Sequence, residues 1–411
     1  MIDYPDKLNT LFNKLHTLNI KPIIIGGYVR DRLLHLDSKD IDIELYGLEK
    51  LEDLEIILQE FGEVNSVGKS FGVCKLNFEG LEIDFSLPRE DSKVASGHKG
   101  FSVKTDSTLD FKTATSRRDF KMNAIGYDVI SKELLDPFNG IQDIKNRVIS
   151  AVDLRKFSED PLRVLRAISF AGRFSFRLDT ALFSLCKEMI KENILNELPK
   201  ERVYEEIKKL LLKSKKPSIG FQLLEDLHSK LYFKEFENRL TAVNYLAKKN
   251  IKDDKKRLNI FFAILSYDFN EKERLQFLHL LTESKDTLKY TSALLKEKNS
   301  LDLKNFTDYD IYILATKVEI ESFLYFIDAI TLGTYTKEIE TVKRRAIELK
   351  VLHKQADSIL KGRDLLKLGL KPSKEFSKIL QTAYIAQLKS KFITHREATN
   401  WLKKFLDHSH I

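Results

Sequence analysis

Apolar and polar positions alternate differently in two parts of the chain. Up to about residue 150, Pro22 to Ile25, Ile41 to Tyr46, Gly72 to Phe78, Leu81 to Leu87 and Ala124 to Val129 carry β-formers at strand spacing. Between them, Tyr28 to Leu36 and Leu51 to Phe61 repeat at helical spacing. After Asp153 the period changes: Leu162, Leu165 and Ile168 with Ser169, then Val203, Ile207, Leu210 and Leu211, return every three or four residues. The pattern predicts an α/β head followed by helical units, α+β overall. Joints are expected at Lys213 to Ser218, a charge run containing Pro217, and in Leu349 to Gly369. Pro88 to Thr115 is the longest stretch without clear periodicity and reads as a candidate mobile loop.

Composition narrows the picture. At 411 residues the chain is too long for one ordinary compact domain, and 43% hydrophobic with 32% charged residues is a globular balance. Val318 to Gly333 is apolar but interrupted by Glu319, Glu321 and Asp328, so no membrane span is expected. Met1 to Thr10 carries Asp3 and Asp6 and lacks the apolar region of a secretory signal, so a cytoplasmic location is expected. Cys74 and Cys186 lie far apart without ligand-spaced partners, which predicts two buried thiols and neither a disulfide framework nor a zinc site. The net charge is +8, and Val351 to Ile411 alone carries 12 basic against 5 acidic residues. A basic end of this kind fits phosphate-backbone binding and fits a solvated helical face equally well.

Four constellations carry chemistry. Ile23 to Asp31 runs from a strand through Gly26 and Gly27 into a helix, where glycine admits a close ligand, the helix start offers free N–H groups and Arg30 adds a charge; an ordinary turn explains the same residues. On Lys39 to Ile43, strand alternation puts Asp40 and Asp42 on one face. Their mutual repulsion is relieved by a divalent cation, and hard oxygen ligands near phosphates favour Mg2+, although a solvated strand looks similar. Asp84, on a neighbouring strand, is a possible third carboxylate, with Glu82 on its face. Ser116 to Ala124 holds Arg117, Arg118 and Asp119 with Asn123, a poor residue for an ordinary core, and Asp136 to Asp143 follows. In Ser158 to Arg166, Ser158 reads as a helix N-cap with Pro161 in the first turn, and Asp160, Arg163 and Arg166 share one helix face. An acceptor beside a donor matches the Watson–Crick edges of cytosine and adenine and meets guanine and uracil with like facing like. An internal ion pair is the alternative.

In order, Gly26-Gly27-x-Val29-Arg30-Asp31, Asp40-x-Asp42, Arg117-Arg118-Asp119-Phe120-x-Met122-Asn123-Ala124, Asp136-Pro137-x-x-Gly140-x-x-Asp143 and Glu159-Asp160-x-x-Arg163 resemble the class II tRNA nucleotidyltransferase (CCA-adding) and bacterial poly(A) polymerase family. Leu198-Pro199-x-Glu201-Arg202-Val203-x-x-Glu206 is similar to a further family motif. The resemblance implies a polymerase-beta-like nucleotidyltransferase head at 1–146, a base-reading helical neck at 147–215, a helical body at 216–350 and a basic, tRNA-binding helical tail at 351–411. It implies Asp40 and Asp42 as catalytic Mg2+ ligands, Gly27 and Arg30 as the triphosphate site, and Arg118, Asp160, Arg163 and Arg166 as nucleotide contacts, with CTP, ATP and tRNA as partners and no obligate protein partner. Ser169 departs from the basic residue that often continues this row. Ile264 to Asp268 lacks the His-Asp pair of the phosphohydrolase domain that some members carry, so neither phosphodiesterase nor phosphatase activity is expected. Gly97 to Phe101 resembles the flexible loop of enzymes that add the terminal A, and Gly362-Arg363-Asp364-Leu365 resembles the tail of CCA enzymes. Full CCA addition is therefore expected ahead of A-only addition or polyadenylation, and a non-catalytic RNA-binding protein would have lost Asp40, Asp42 or the base-reading pair.

Overall fold

The computed structural model describes residues 2–38, 40–65, 73–93 and 101–408. They divide into two compact units, Met1–Phe233 and Lys234–Ile411.

The first unit opens with α1 (Leu8–Thr17), β1 (Lys21–Ile25), α2 (Gly27–Leu33), β2 (Ile41–Tyr46), α3 (Leu51–Leu58), β3 (Glu63–Asn65), β4 (Val73–Phe78) and β5 (Leu81–Ser86). A hairpin of β6 (Arg89–Lys93) and β7 (Phe101–Thr105) follows, then α4 (Phe111–Thr115), a 3-10 turn at Lys121–Asn123, β8 (Gly126–Asp128), β9 (Glu133–Leu135) and α5 (Gly140–Asn146). Seven strands form one mixed sheet in the order β3-β4-β5-β2-β1-β8-β9, with β2 and β5 parallel. Strand alternation gives β2 two faces. Ile41, Ile43 and Leu45 are buried among Ile83 and Phe85 of β5, while Asp42 and Glu44 point the other way. Leu8, Leu11, Phe12 and Leu15 of α1 and Leu54 and Leu58 of α3 are buried as those helices pack on β1 and β4.

All five strands expected from the alternation are present, with ends shifted by a few residues. Two differences have physical causes. Residues 88–115, expected as a loop, contain the β6–β7 hairpin and α4, whose start is capped by Asp110 accepting from the Thr113 N–H at 2.8 Å. A two-stranded ribbon outside the main sheet does not require the strict alternation that marks a core strand. Residues Gly97 to Gly100 of the proposed flexible loop lie outside the described residues. Helix α1 was not among the expected elements, although its buried residues repeat at helical spacing.

The unit continues with β10 (Val148–Ile149), α6 (Leu154–Ser158), α7 (Leu162–Phe174), β11 (Arg177–Leu178), α8 (Thr180–Lys191), α9 (Lys200–Lys213) and α10 (Ser218–Asp226). Ser158 does not cap a helix start. It ends α6, donating to the Arg155 carbonyl, because Asp153 already takes the Arg155 and Lys156 N–H groups and Asp160 takes that of Leu162. The parallel pair β10–β11 is too short to show alternation in sequence. Helices α7, α9 and α10 meet at two glycines: a Cβ on Gly172 or Gly220 would stand 2.3 or 2.5 Å from Leu210 Cδ1, so glycine there sets the packing distance.

The second unit is helical from Leu240–Ala247 to His395–His408. Phe236, Phe261, Phe262, Phe323 and Phe326 are fully buried in it, and Leu360, Leu365, Ile379, Ala383, Phe392 and Leu402 form a separate cluster near its end. Asp268, in the segment compared with phosphohydrolases, makes a bidentate pair with Arg239 at 2.6 and 2.7 Å. The apolar run after Val318 folds as Ile320–Ile330, and no described helix is long and apolar enough to cross a membrane.

Candidate active site

Strand β2 delivers the acidic row. Asp40 is exposed just before it, Asp42 is partly buried, and Glu44 is fully buried, bonded to Arg117 at 3.0 Å and accepting from the Tyr46 hydroxyl at 2.7 Å. The parallel register sets Asp42 opposite Asp84 of β5, and the antiparallel register sets Asp84 opposite Lys75 of β4. Lys75 Nζ lies 2.9 Å from both Asp84 oxygens. Among the described residues Asp42 has no comparable bond. Burial pushes its carboxyl above the usual range; Arg118 pulls it back, and Asp84 and Asp40 add to the rise. A divalent cation on Asp40 and Asp42 would relieve that charge, and carboxylate oxygens are the donors Mg2+ takes, so these residues fit the ion. A closer metal-ligand set stands in the second unit, where ligand atoms of Glu319, Glu321 and His353 fall within 4.8 Å of one another. Two lysines already neutralise the two carboxylates of that set, Lys256 at 2.7 Å from Glu319 and 3.1 Å from Glu321, and Lys343 at 3.7 Å from Glu321. Asp40 and Asp42, which have no ion pair among the described residues, are the better metal candidates.

The cationic side of the site comes from the turn after α4. Arg118 is half-buried, and its buried Nε has no hydrogen-bond partner. Its guanidinium lies so close to Gly26 that a Cβ there would stand 2.7 Å from Nη1. Gly26 also has φ +67°, so a side chain is excluded twice over. Burial lowers the Arg118 pKa and Arg117 adds to that, while Glu44 and Asp42 oppose it. A half-buried guanidinium with an unsatisfied Nε, beside a side-chain-free turn and a carboxylate row, is a place for an anion that arrives with a metal. Gly27 opens the seven-residue α2 next to it.

The remaining expected residues fall into two groups. Asp160 accepts from the Leu162 N–H at 3.0 Å, whereas Arg163 donates to the carbonyls of Arg117 (2.9 Å) and Lys156 (3.0 Å). These bonds place both residues at the junction of α6, α7 and the arginine turn. Arg30 and Arg166 are differently placed. Arg30 is buried, donates to Asp31 at 2.8 Å and to Asn123, and packs over Phe170 and Phe174. Arg166 pairs with Asp119 at 2.6 Å. Burial opposes the charge on Asp119, yet Arg166 and Asn123 outweigh it and hold its carboxyl below the usual range. The Asp136 carboxylate accepts from the Gly140 and Ile141 N–H groups, starting α5, which packs on the 3-10 turn that carries Asn123. Sequence reading missed Glu44 and Arg173, which pairs with Asp31 at 2.8 Å. Glu44 was legible as the next residue on the aspartate face of β2, and Arg173 as the next on the Arg166 and Phe170 face of α7.

Residues 23–150 match the family model of the poly A polymerase head domain, and 175–238 match that of the probable RNA and SrmB-binding site of polymerase A. The chain is 35% identical over 213 residues to the multifunctional CCA protein of Stenotrophomonas maltophilia, covering 51% of this chain and 50% of that one. It is also 35% identical to the CCA-adding enzyme of Buchnera aphidicola over 51% of this chain and 48% of that one. The matches thus span about half the length of these curated relatives. The fold is that of the Bacillus stearothermophilus CCA-adding enzyme solved with CTP, at TM-score 0.77 and 20% identity over 99% of both chains. It is also that of the Thermotoga maritima CCA-adding enzyme solved with tRNA, at TM-score 0.60 and 20% identity over 98% of this chain and 96% of that one.

Proposed function

We propose, on the premise that the head and neck of this chain belong to the class II tRNA nucleotidyltransferase and poly(A) polymerase family, that the protein adds CCA to the 3' end of tRNA from CTP and ATP. The observation that carries the reading is a partly buried Asp42 without an ion-pair partner among the described residues, facing a half-buried Arg118 whose Nε has no hydrogen-bond partner, at the Gly26 turn. One group wants a cation and the other an anion, and a metal-bound nucleoside triphosphate supplies both.

Asp40 and Asp42 would hold Mg2+, which when bound supplies activation of the primer 3'-hydroxyl and charge relief on the leaving pyrophosphate. Arg118 holds the phosphates against the Gly26–Gly27 turn. Arg30, behind Gly27, acts as a positioning residue, and Arg166 fixes Asp119 beside the nucleotide. Asp160 and Arg163 face the base, offering an acceptor and a donor that cytosine and adenine satisfy and guanine and uracil do not. The proposed division is head 1–146, neck 147–215, body 216–350 and tail 351–411. The body and tail would grip tRNA phosphates with the basic excess of the last segment. The proposed location is the cytoplasm.

The test is extension of tRNA lacking CCA, tRNA ending in CC and an unstructured RNA, with Mg2+ and CTP, ATP or both, resolved at single-nucleotide length. Growth of the first by three residues and the second by one, then arrest, is expected. A long A ladder on the unstructured RNA would instead make the protein a poly(A) polymerase, growth of the CC primer alone an A-adding enzyme, and no growth a binding protein.

A further inference from the structure

One face of α7 is bonded to the head at three levels. At its start Arg163 donates to the Arg117 carbonyl at 2.9 Å. One turn on, Arg166 pairs with Asp119 at 2.6 Å. At its end Arg173 pairs with Asp31 of α2 at 2.8 Å. The two carboxylates are joined through the head itself. Asp31 also takes Arg30 Nε at 2.8 Å, Arg30 donates to Asn123 Oδ1, and Asn123 Nδ2 donates to Asp119 at 2.9 Å. Arg30, Asp31, Asn123 and Asp119 are all buried. Phe170 and Phe174, stacked at 5.6 Å, pack under Arg30 with its guanidinium carbon 5.0 and 4.9 Å from their ring centres, and Phe174 lies 4.9 Å from that of Arg173. Three guanidinium groups against two carboxylates leave one positive charge in the network.

A base-reading pair discriminates only if its position relative to the bound phosphates is held to a fraction of an ångström, since a displaced donor or acceptor meets right and wrong bases equally. Helix α7 has its reading residue at one end and its most distant anchor at the other, so rotation about the Arg163 and Arg166 contacts is opposed by Asp31 and Arg173.

Building on the proposed function, we infer that Asp31 and Arg173 are positioning residues for nucleotide selection, a latch that fixes the angle of α7 against the head and thereby the choice of C and A over U and G. Arg173 lies at the far end of α7 from Asp160 and Arg163, and the latch acts through the rigid helix.

Two measurements test it on the full-length protein. In the first, Arg173→Met and Arg173→Lys are compared with wild type for transfer of CTP and UTP to tRNA lacking CCA. A fall of about fivefold in the CTP-to-UTP ratio of kcat/KM is expected for Arg173→Met, with kcat for CTP within a few-fold of wild type and with recovery in Arg173→Lys. An unchanged ratio, with both nucleotides slowed alike, overturns the inference. In the second, spin labels are placed on Glu133→Cys of β9 and Glu205→Cys of α9, both exposed, while the natural thiols of Cys74 and Cys186 are buried and resist labelling. The head-to-neck distance distribution should broaden in Arg173→Met without any nucleotide present, and an unchanged width overturns the latch. This readout needs no activity, so a wild-type protein that transfers nothing would remove the proposed function while the distribution still decides the latch.

Discussion

Two acidic clusters in the first unit are built from the same residue types and treated in opposite ways. Around α2 and α7, Asp31 accepts from Arg30 and Arg173, Asp119 accepts from Arg166, Asn123 and the Phe120 N–H, every guanidinium in the network has a carboxylate or amide opposite it, and aromatic rings pack against Arg30. Around β2, Asp40 and Asp42 have no such partners among the described residues, and Arg118 carries a buried Nε with none. A buried ion pair stabilises only when its geometry is complete, and an incomplete one costs stability. The first cluster therefore holds structure. The second carries a cost that a ligand offsets, the usual situation where function competes with stability.

The sharpest way to break the contrast is Asp42→Asn. Transfer should fall about 10³-fold, the loss of several kcal/mol of metal-assisted stabilisation, while the metal-free protein melts at a higher temperature than wild type; primer extension and calorimetry read the two. A lowered melting temperature would mean that Asp42 is structurally satisfied after all. Asp119→Asn should do the reverse to stability, costing roughly 3 kcal/mol in urea unfolding because Arg166 and the network lose their anion. Its pH signature follows from the depressed folded pKa. A carboxylate of that kind contributes stability above its unfolded pKa and loses it as pH falls through its lower folded value. The deficit of the variant should therefore be largest at neutral pH and shrink as pH drops below the ordinary carboxylate range. An unchanged deficit at pH 2.5 would remove the ion pair from the account.

Arg118→Ala should lower kcat/KM for every nucleotide by about 10²-fold, with the CTP-to-UTP ratio preserved, since a phosphate contact does not read the base. A shifted ratio would place Arg118 at the base instead. The smallest effect is expected for Arg163→Ala, about tenfold in base selection, on the order of one hydrogen bond. Selectivity equal to wild type would count against its reading role.

The acidic strand was readable because strand geometry is local. A period of two places Asp40 and Asp42 on one face whatever surrounds them, and the apolar Ile41, Ile43 and Leu45 show which face is buried. Gly26 was readable for a similar reason, since few residues accept φ +67° at a strand-to-helix turn. The roles of the arginines were not. Arg30, Arg118 and Arg166 carry equal charge and sit in equally suggestive motifs, yet Arg30 is fully engaged, Arg166 is paired and Arg118 Nε has no partner. Which carboxylate faces which guanidinium depends on contacts such as Arg173 to Asp31, 142 positions apart in the chain. The Ser158 cap failed on the same ground: Asp153 and Asp160 were better-placed acceptors for the same N–H groups. Sequence by itself thus determined the elements, their buried faces and the residue types brought to the site, because these follow from local periodicity and backbone preference. Only the tertiary structure decided which charges were neutralised and which were left for a ligand, because pairing depends on distance and burial, and neither is a property of a residue alone.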